Sequence, residues 1–261
     1  MTLFFHELRQ SKLALIIWSA AISFMLGVCI IIYPEMSAQM GELSEMFSDM
    51  GSFSDAFGMD QLNFGEFMGY FAIECGNTLG LGSALFAAIV GAGALAKEEK
   101  DHTAEFLLTH PIPRTRIISE KLAACFAQVF ILNASAAALS CLCIAAVGVE
   151  ADAGGIALLF LSNLIMGLEI ATITFGISAF LYRGEIGIGL GVAFALYFIN
   201  IIANLTDDLE FLKFVTPFGY TEGGRIVSEG TLEIKYIIAG IAISAIGIVA
   251  AYLKYTKKDI T

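Results

Sequence analysis

The chain has 261 residues, of which 57% are hydrophobic and 15% charged, with a formal net charge of −11 and a mean hydropathy of +0.80. Water-soluble domains carry nearer to a quarter charged residues, so this composition excludes a soluble enzyme, and the acidic balance offers no basic surface for a nucleic acid. A bilayer core is crossed by about 20 apolar residues in a helix, and the chain has room for six such stretches.

Residues 1–12 are short, mixed and mildly amphipathic. Leu3, Phe4 and Leu8 share one helical face, with His6, Arg9 and Gln10 elsewhere. That pattern predicts an interfacial helix lying on the membrane surface. The first span is predicted over residues 13–33, with Trp18 and Tyr33 as interfacial aromatics and Pro34 ending it. Residues 35–66 hold seven acidic residues and no Lys or Arg. Within them Leu43, Met46, Phe47 and Met50 keep the i, i+3, i+4, i+7 spacing of an amphipathic helix. Two readings stay open for this segment: a helix resting on the outer leaflet, or a Met- and Phe-rich lid that touches an amphipathic substrate.

The second span is predicted over 67–96. Gly76, Gly80, Ala84, Ala88 and Ala92 recur every four residues, a small-residue stripe that admits a close neighbouring helix. Glu74 and Asn77 fall near its outer end. Residues 97–121 then form the longest dense run of charge in the chain. Thr103 to Leu108 can make a short helix, which Pro111 and Pro113 end because proline lacks the amide donor and pushes its predecessor out of the α region. A helix restarts near Arg114 and enters the membrane from Lys121.

The third span is predicted over 122–147, and Glu150 to Gly155 form a tight outer turn. The fourth covers 156–181, with Glu169 near its middle and Ser162, Met166 and Thr172 on a similar face. Residues 182–185 make an inner turn. The fifth covers 186–205. Gly187, Gly191 and Ala195 form a second small stripe there, and Asn200 and Asn204 lie one turn apart on another face. Residues 206–234 are half apolar and too short to span, which reads as a re-entrant or interfacial piece. The sixth span covers 235–255, and Lys254, Lys257 and Lys258 close the chain.

With both termini cytoplasmic, 11 of the 14 Lys and Arg residues lie inside, and only Lys213, Arg225 and Lys235 lie outside. The positive-inside rule selects that orientation. It also leaves 15 of 25 acidic residues facing outward.

No G-x-x-x-x-G-K-[ST] loop, H-E-x-x-H pair or nucleophile with its base occurs. Catalytic residues and a metal site are therefore not expected. The five cysteines all fall in or beside apolar segments and form no C-x-x-C pair, so they read as small membrane residues. Glu169 needs a reason, since a carboxylate at the centre of a span costs roughly 2.5–3.5 kcal/mol on insertion scales. It either lines a cavity that takes a cation or a proton, or makes a structural hydrogen bond to Asn or Ser on a neighbouring helix.

The charged loop resembles the one between the second and third spans in permease subunits of ABC-2-type exporters. The family pattern is an acidic residue after a small-residue helix, a threonine, a leucine pair, a proline, an arginine and a lysine. Here these are Glu98 or Glu99, Thr103, Leu107 with Leu108, Pro111, Arg114 and Lys121, with His102 where glycine is usual. Thr216-Pro217-Phe218 is similar to the family's Ser/Thr-Pro-Phe signature before its re-entrant helices.

The resemblance implies an all-α integral membrane protein: one permease domain of six transmembrane helices over 1–261. It further implies an N-terminal elbow helix at 1–12, a coupling helix within 97–121 and a re-entrant outer segment. It implies a plasma-membrane subunit of a bacterial transporter that pairs with a second permease copy or close homologue. Two copies of a separate ATPase would carry ATP and Mg, leaving this chain without a cofactor. Glu98, Glu99, Thr103, Leu107, Leu108 and Pro111 would contact that ATPase. We further expect Glu169, Asn200 and Asn204 to line a substrate cavity for an amphipathic or cationic peptide or drug, and Gly187, Gly191 and Ala195 to form the dimer contact. A proton-coupled transporter using Glu169, and a non-transport immunity or sensor protein, remain alternatives.

Overall fold

The structure is a computed structural model that describes residues 2–48, 66–97, 112–181 and 186–257. Every regular element among the described residues is helical. They are α1 (Thr2–Ser48), α2 (Phe67–Gly93), α3 (Arg114–Val147), α4 (Ala153–Ser178), α5 (Ile186–Asn204), a short α6 (Gly223–Glu229) and α7 (Ile234–Lys257). All but α6 are long and apolar enough to cross a membrane, which makes the six spans expected from the sequence. The all-α, six-helix architecture is therefore the observed one.

The helices are not equivalent. α4 buries 61% of its most apolar stretch and α2 buries 56%, against 17% for α5 and α7. α2 and α4 thus form the centre, and the others wrap it with faces left for lipid or another chain. α4 packs against α2, α7 and α3, while α1 runs along α3 and α5 lies on α2. Small residues set these approaches. A Cβ added at Gly91 of α2 would overlap the Thr174 hydroxyl and the Ala171 carbonyl of α4. One added at Gly189 of α5 would come within 2.6 Å of the Ala88 carbonyl oxygen. Between membrane helices such backbone contact supplies the dispersion energy that burial supplies in water.

Local chemistry places the helix ends. Pro113, extended at φ −65° and ψ 140°, precedes the first turn of α3, where a missing amide costs nothing. Gly148 ends α3 in the left-handed region at φ 74°, which glycine enters without steric cost. Asp152 opens α4 by accepting from the Gly154 and Gly155 amides at 3.1 and 2.8 Å.

Two boundaries differ from expectation. Residues 2–12 are not a separate element but the first turns of α1. Pro34 does not end the first span; α1 continues through it to Ser48. A proline inside a membrane helix removes one backbone bond, and the chain tolerates this where helical patterning resumes beyond it. Here that patterning is the spacing at Leu43, Met46 and Phe47. Within α2 the backbone widens over Cys75–Gly80 into a π-helical turn.

All odd-numbered spans start at one end of the bundle, with Arg9, Lys12, Lys254 and Lys257; we call this the basic end. The other, acidic end carries the connection between α5 and α7. That connection makes two 3-10 turns, Asp207–Phe214 and Pro217–Tyr220, followed by α6. Phe218 and Tyr220 are buried against the helices, and the Thr216 hydroxyl donates to the Leu196 carbonyl of α5 at 2.8 Å. The segment therefore folds back onto the bundle, as its half-apolar composition predicts.

Candidate functional site

Two arrangements of polar side chains stand out, one at the basic end and one at mid-bundle. At the basic end Glu7 of α1 sits between two lysines. Lys97, just past α2, donates to Glu7 and to Gln10 Oε1 at 2.8 Å. Lys121 of α3 lies 3.2 Å from Glu7 Oε1 and donates to the Ala94 carbonyl at 2.6 Å. Lys121 is 1% exposed, and a buried ammonium is sustained only by a close anion and further acceptors. Both are present.

Two further contacts of α3 extend this clamp. The Leu3 and Phe4 amides donate to Glu120 Oε2 at 3.1 and 3.2 Å, serving first-turn N–H groups that no helix can serve internally. Arg116 holds the other Glu120 oxygen at 2.9 Å. Arg114 Nη1 donates to the Tyr255 and Thr256 carbonyls, each at 3.2 Å, and so caps the last turn of α7 with a cation. The two limbs of the charged loop, Lys97 on one side and Arg114 to Lys121 on the other, are thereby tied to α1, to α7 and to each other. Lys97 and Lys121 carry opposite ends of the loop, yet they share one carboxylate.

The loop residues Glu98, Glu99, Thr103, Leu107, Leu108 and Pro111 lie outside the described residues.

At mid-bundle Glu169 of α4 is 4% exposed. Neither of its oxygens has a hydrogen-bond partner, so the structural hydrogen bond to Asn or Ser anticipated as one reading is not what the structure contains. Ser162 and Thr172 instead bond the Leu159 and Leu168 carbonyls within α4. The carboxylate is pressed onto Gly240 of α7, where an added Cβ would overlap it. The Tyr220 hydroxyl, brought in by the second 3-10 turn, lies beside it without completing a hydrogen bond. The surrounding core is apolar, with Met166, Ile170, Ala171, Phe218 and Tyr236.

Asn200 and Asn204 sit on α5 half-buried, and no hydrogen bond joins either to Glu169. Gly187, Gly191 and Ala195 are exposed along α5, and a Cβ at Gly187 or Gly191 would meet nothing within 4 Å. The opposite face of α5, with Gly189 and Ala193, is the one that packs on α2. Glu74 is half-buried and accepts from the Cys29 thiol of α1 at 3.5 Å. All five cysteines are free. Among the described residues no group of three His, Cys, Asp or Glu could hold a metal ion.

Sequence reasoning missed Glu7 and the depth of Lys121. Glu7 follows Leu3 and Phe4 by four and three residues, one turn along the same helical face. The three cations of the acidic end are also matched. Lys213 pairs with Glu222 at 3.1 Å, Arg225 with Glu233 at 3.0 Å, and Lys235 with Glu210 at 3.3 Å. Hydrogen bonds from Tyr236, at 2.6 Å, and from Lys235 hold Glu210 below the usual carboxylate range.

A family model described as ABC-2 family transporter protein matches residues 1–260. A search of curated proteins finds no match.

Proposed function

Since the chain belongs to the ABC-2 family of transporter proteins, and so is the membrane permease of an ABC transporter that works with a partner ATPase, we propose that it exports an amphipathic or cationic peptide or drug. Both termini face the cytoplasm of a bacterial cell and the acidic end faces outward, in keeping with the charge distribution. ATP and Mg bind the ATPase, which supplies the energy, and this chain catalyses no reaction. Two permeases assemble with two ATPase subunits, and the open face of Gly187, Gly191 and Ala195 offers the permease contact.

The observation that carries this reading is the clamp at the basic end. A push on the charged loop acts on Lys97 and on Arg114 to Lys121. Through Glu7, Glu120 and the α7 carbonyls it reaches α1 and α7 as well as α2 and α3. Glu98, Glu99, Thr103, Leu107, Leu108 and Pro111 are the residues we assign to the ATPase groove. The test is a double variant, Glu99→Ala with Leu107→Ala, reconstituted with the ATPase. Transport should fall at least about tenfold, the effect of roughly 1.4 kcal/mol of lost coupling, while insertion and ATP hydrolysis persist. Undiminished ATP-driven export by that variant refutes the assignment.

A second reading, proton-coupled transport, is favoured by one observation: the unpartnered, buried carboxyl of Glu169. Export that ceases when the proton gradient is collapsed, with ATP still supplied, would select it.

A further inference from the structure

We propose that a cavity between α1, α2 and α3 at the basic end binds a small, uncharged aromatic alcohol, held through its hydroxyl by Gln128. The cavity has a volume of about 300 Å³, at the lower end of the range for ligand pockets, which suits a molecule of one or two rings. Glu7, Lys97 and Lys121 form its charged rim, and Trp18, Phe86 and Gln128 line its interior. The rim groups have partners; the interior holds one polar atom that has none.

At the rim Lys97 bonds Glu7 and Gln10, while Lys121 bonds the Ala94 carbonyl and lies against Glu7. The Ser11 hydroxyl donates to the Glu7 carbonyl at 2.7 Å. These charges satisfy one another, so the rim selects no charged ligand. Gln128 stands seven residues beyond Lys121 on α3, about 10 Å deeper at 1.5 Å per residue. That is the level of the Trp18 and Phe86 rings. The Cys125 thiol of α3 meets the Val90 carbonyl of α2 at 3.9 Å, and Gln128 and Phe86 each lie about one turn further in on these antiparallel helices. Trp18 reaches Phe86 from α1, with ring centroids 6.0 Å apart.

Gln128 is 3% exposed. Its side-chain nitrogen donates to the Ala124 carbonyl at 3.2 Å, a bond that an oxygen cannot make, so the atom left over is the acceptor Oε1. That oxygen has no hydrogen-bond partner, and a buried acceptor without a donor is costly. The missing donor has to come from an occupant. Water would find one unserved acceptor where it needs two to four polar partners. An ammonium would lose its hydration with no anion at that depth. A hydroxyl on an aromatic ring meets both demands of the site: its O–H serves Oε1, and its ring fills the space beside Trp18 and Phe86, where aromatic pairs gain beyond their area.

Trp18 is the chain's single tryptophan and lines the cavity, so its fluorescence reads occupancy directly. The test is quenching of the purified full-length chain in detergent, at neutral pH, by 4-bromophenol and by 4-bromoanisole, in which a methyl group replaces the hydroxyl hydrogen. 4-Bromophenol should quench saturably, at concentrations about fivefold lower than 4-bromoanisole, the factor set by one net hydrogen bond. Gln128→Leu removes the acceptor while keeping an apolar side chain in its place, and should equalise the two probes. Ala14→Phe fills the cavity from an exposed position of α1 that lines it, and should abolish saturable quenching by either. Three results would each overturn the proposal: equal quenching of the unaltered chain by both probes, a 4-bromophenol advantage that survives Gln128→Leu, or linear quenching only, as for a site that takes water alone. The inference does not rest on the export reading, and neither ATP nor transport enters the assay, so the two fail separately.

Discussion

Glu7 and Glu169 are two carboxylates taken almost wholly out of solvent, 7% and 4% exposed, and the chain treats them in opposite ways. Glu7 is given two ammonium groups, one of them completely enclosed. Glu169 is given none: glycine backbone on one side, a tyrosine hydroxyl beside it and an apolar wall around. Burying a charge costs several kcal/mol unless a partner is close. The first site is therefore a fastener, stable only as a set. The second is a group kept unsatisfied in the middle of the bundle, where α4, α7 and the folded-back segment meet. A carboxyl held this way persists because the packing around it leaves it no other place, and such positions are where function is to be sought.

The largest effect should come from Glu7→Gln. It takes away the carboxylate that lies 3.2 Å from the enclosed Lys121 ammonium, and removing one member of a buried pair costs about 3–5 kcal/mol. Unfolding of the detergent-solubilised chain should shift accordingly. A loss below about 1 kcal/mol would mean that Glu7 is not what sustains Lys121, and the contrast with Glu169 would collapse. The next concerns Gly240→Ala, whose Cβ would run into the Glu169 carboxylate. Overpacking of this kind costs about 1–3 kcal/mol, and adding Glu169→Ala should restore most of it. A double-mutant cycle should show a coupling of about 0.5–3 kcal/mol; simple additivity would show that the carboxylate can leave Gly240 freely. The smallest effect is expected from Lys235→Gln at the acidic end. Its side chain is 50% exposed, in ion pairs with Glu210 and Glu233, and exposed pairs contribute about 0–1 kcal/mol. A larger loss would place this pair with Glu7 rather than with ordinary surface charge.

Much of the fold was legible because it follows from solvent and period alone. An apolar run of the length of the bilayer has one compact solution, a helix, since every backbone group must be served within the segment. Six runs therefore meant six helices. The half-apolar segment near Thr216-Pro217-Phe218 was legible as a piece that returns to the bundle. The continuity of α1 through Pro34 was not, because one lost backbone bond is a weak local penalty that the surrounding structure can outweigh. Neither was the fate of Glu169: its position in the span was plain, but whether an Asn or Ser would reach it depended on how α4 and α7 are rotated about their axes.

Sequence by itself determined the class of this protein, its six spans, the asymmetry of charge between its ends and the resemblance of its charged loop to that of ABC-2 permeases. Each of these is carried by composition, by length or by residues adjacent in the chain. Only the tertiary structure decided that Glu7, Lys97 and Lys121 share one site. They are separated by 90 and 24 residues along the chain, and oppositely charged groups so far apart become partners only when packing removes them together from water. The same holds for the two faces of α5, both lined with small residues. Close packing of Gly189 and Ala193 on α2 left Gly187, Gly191 and Ala195 open, because one helix can turn only one of its faces inward.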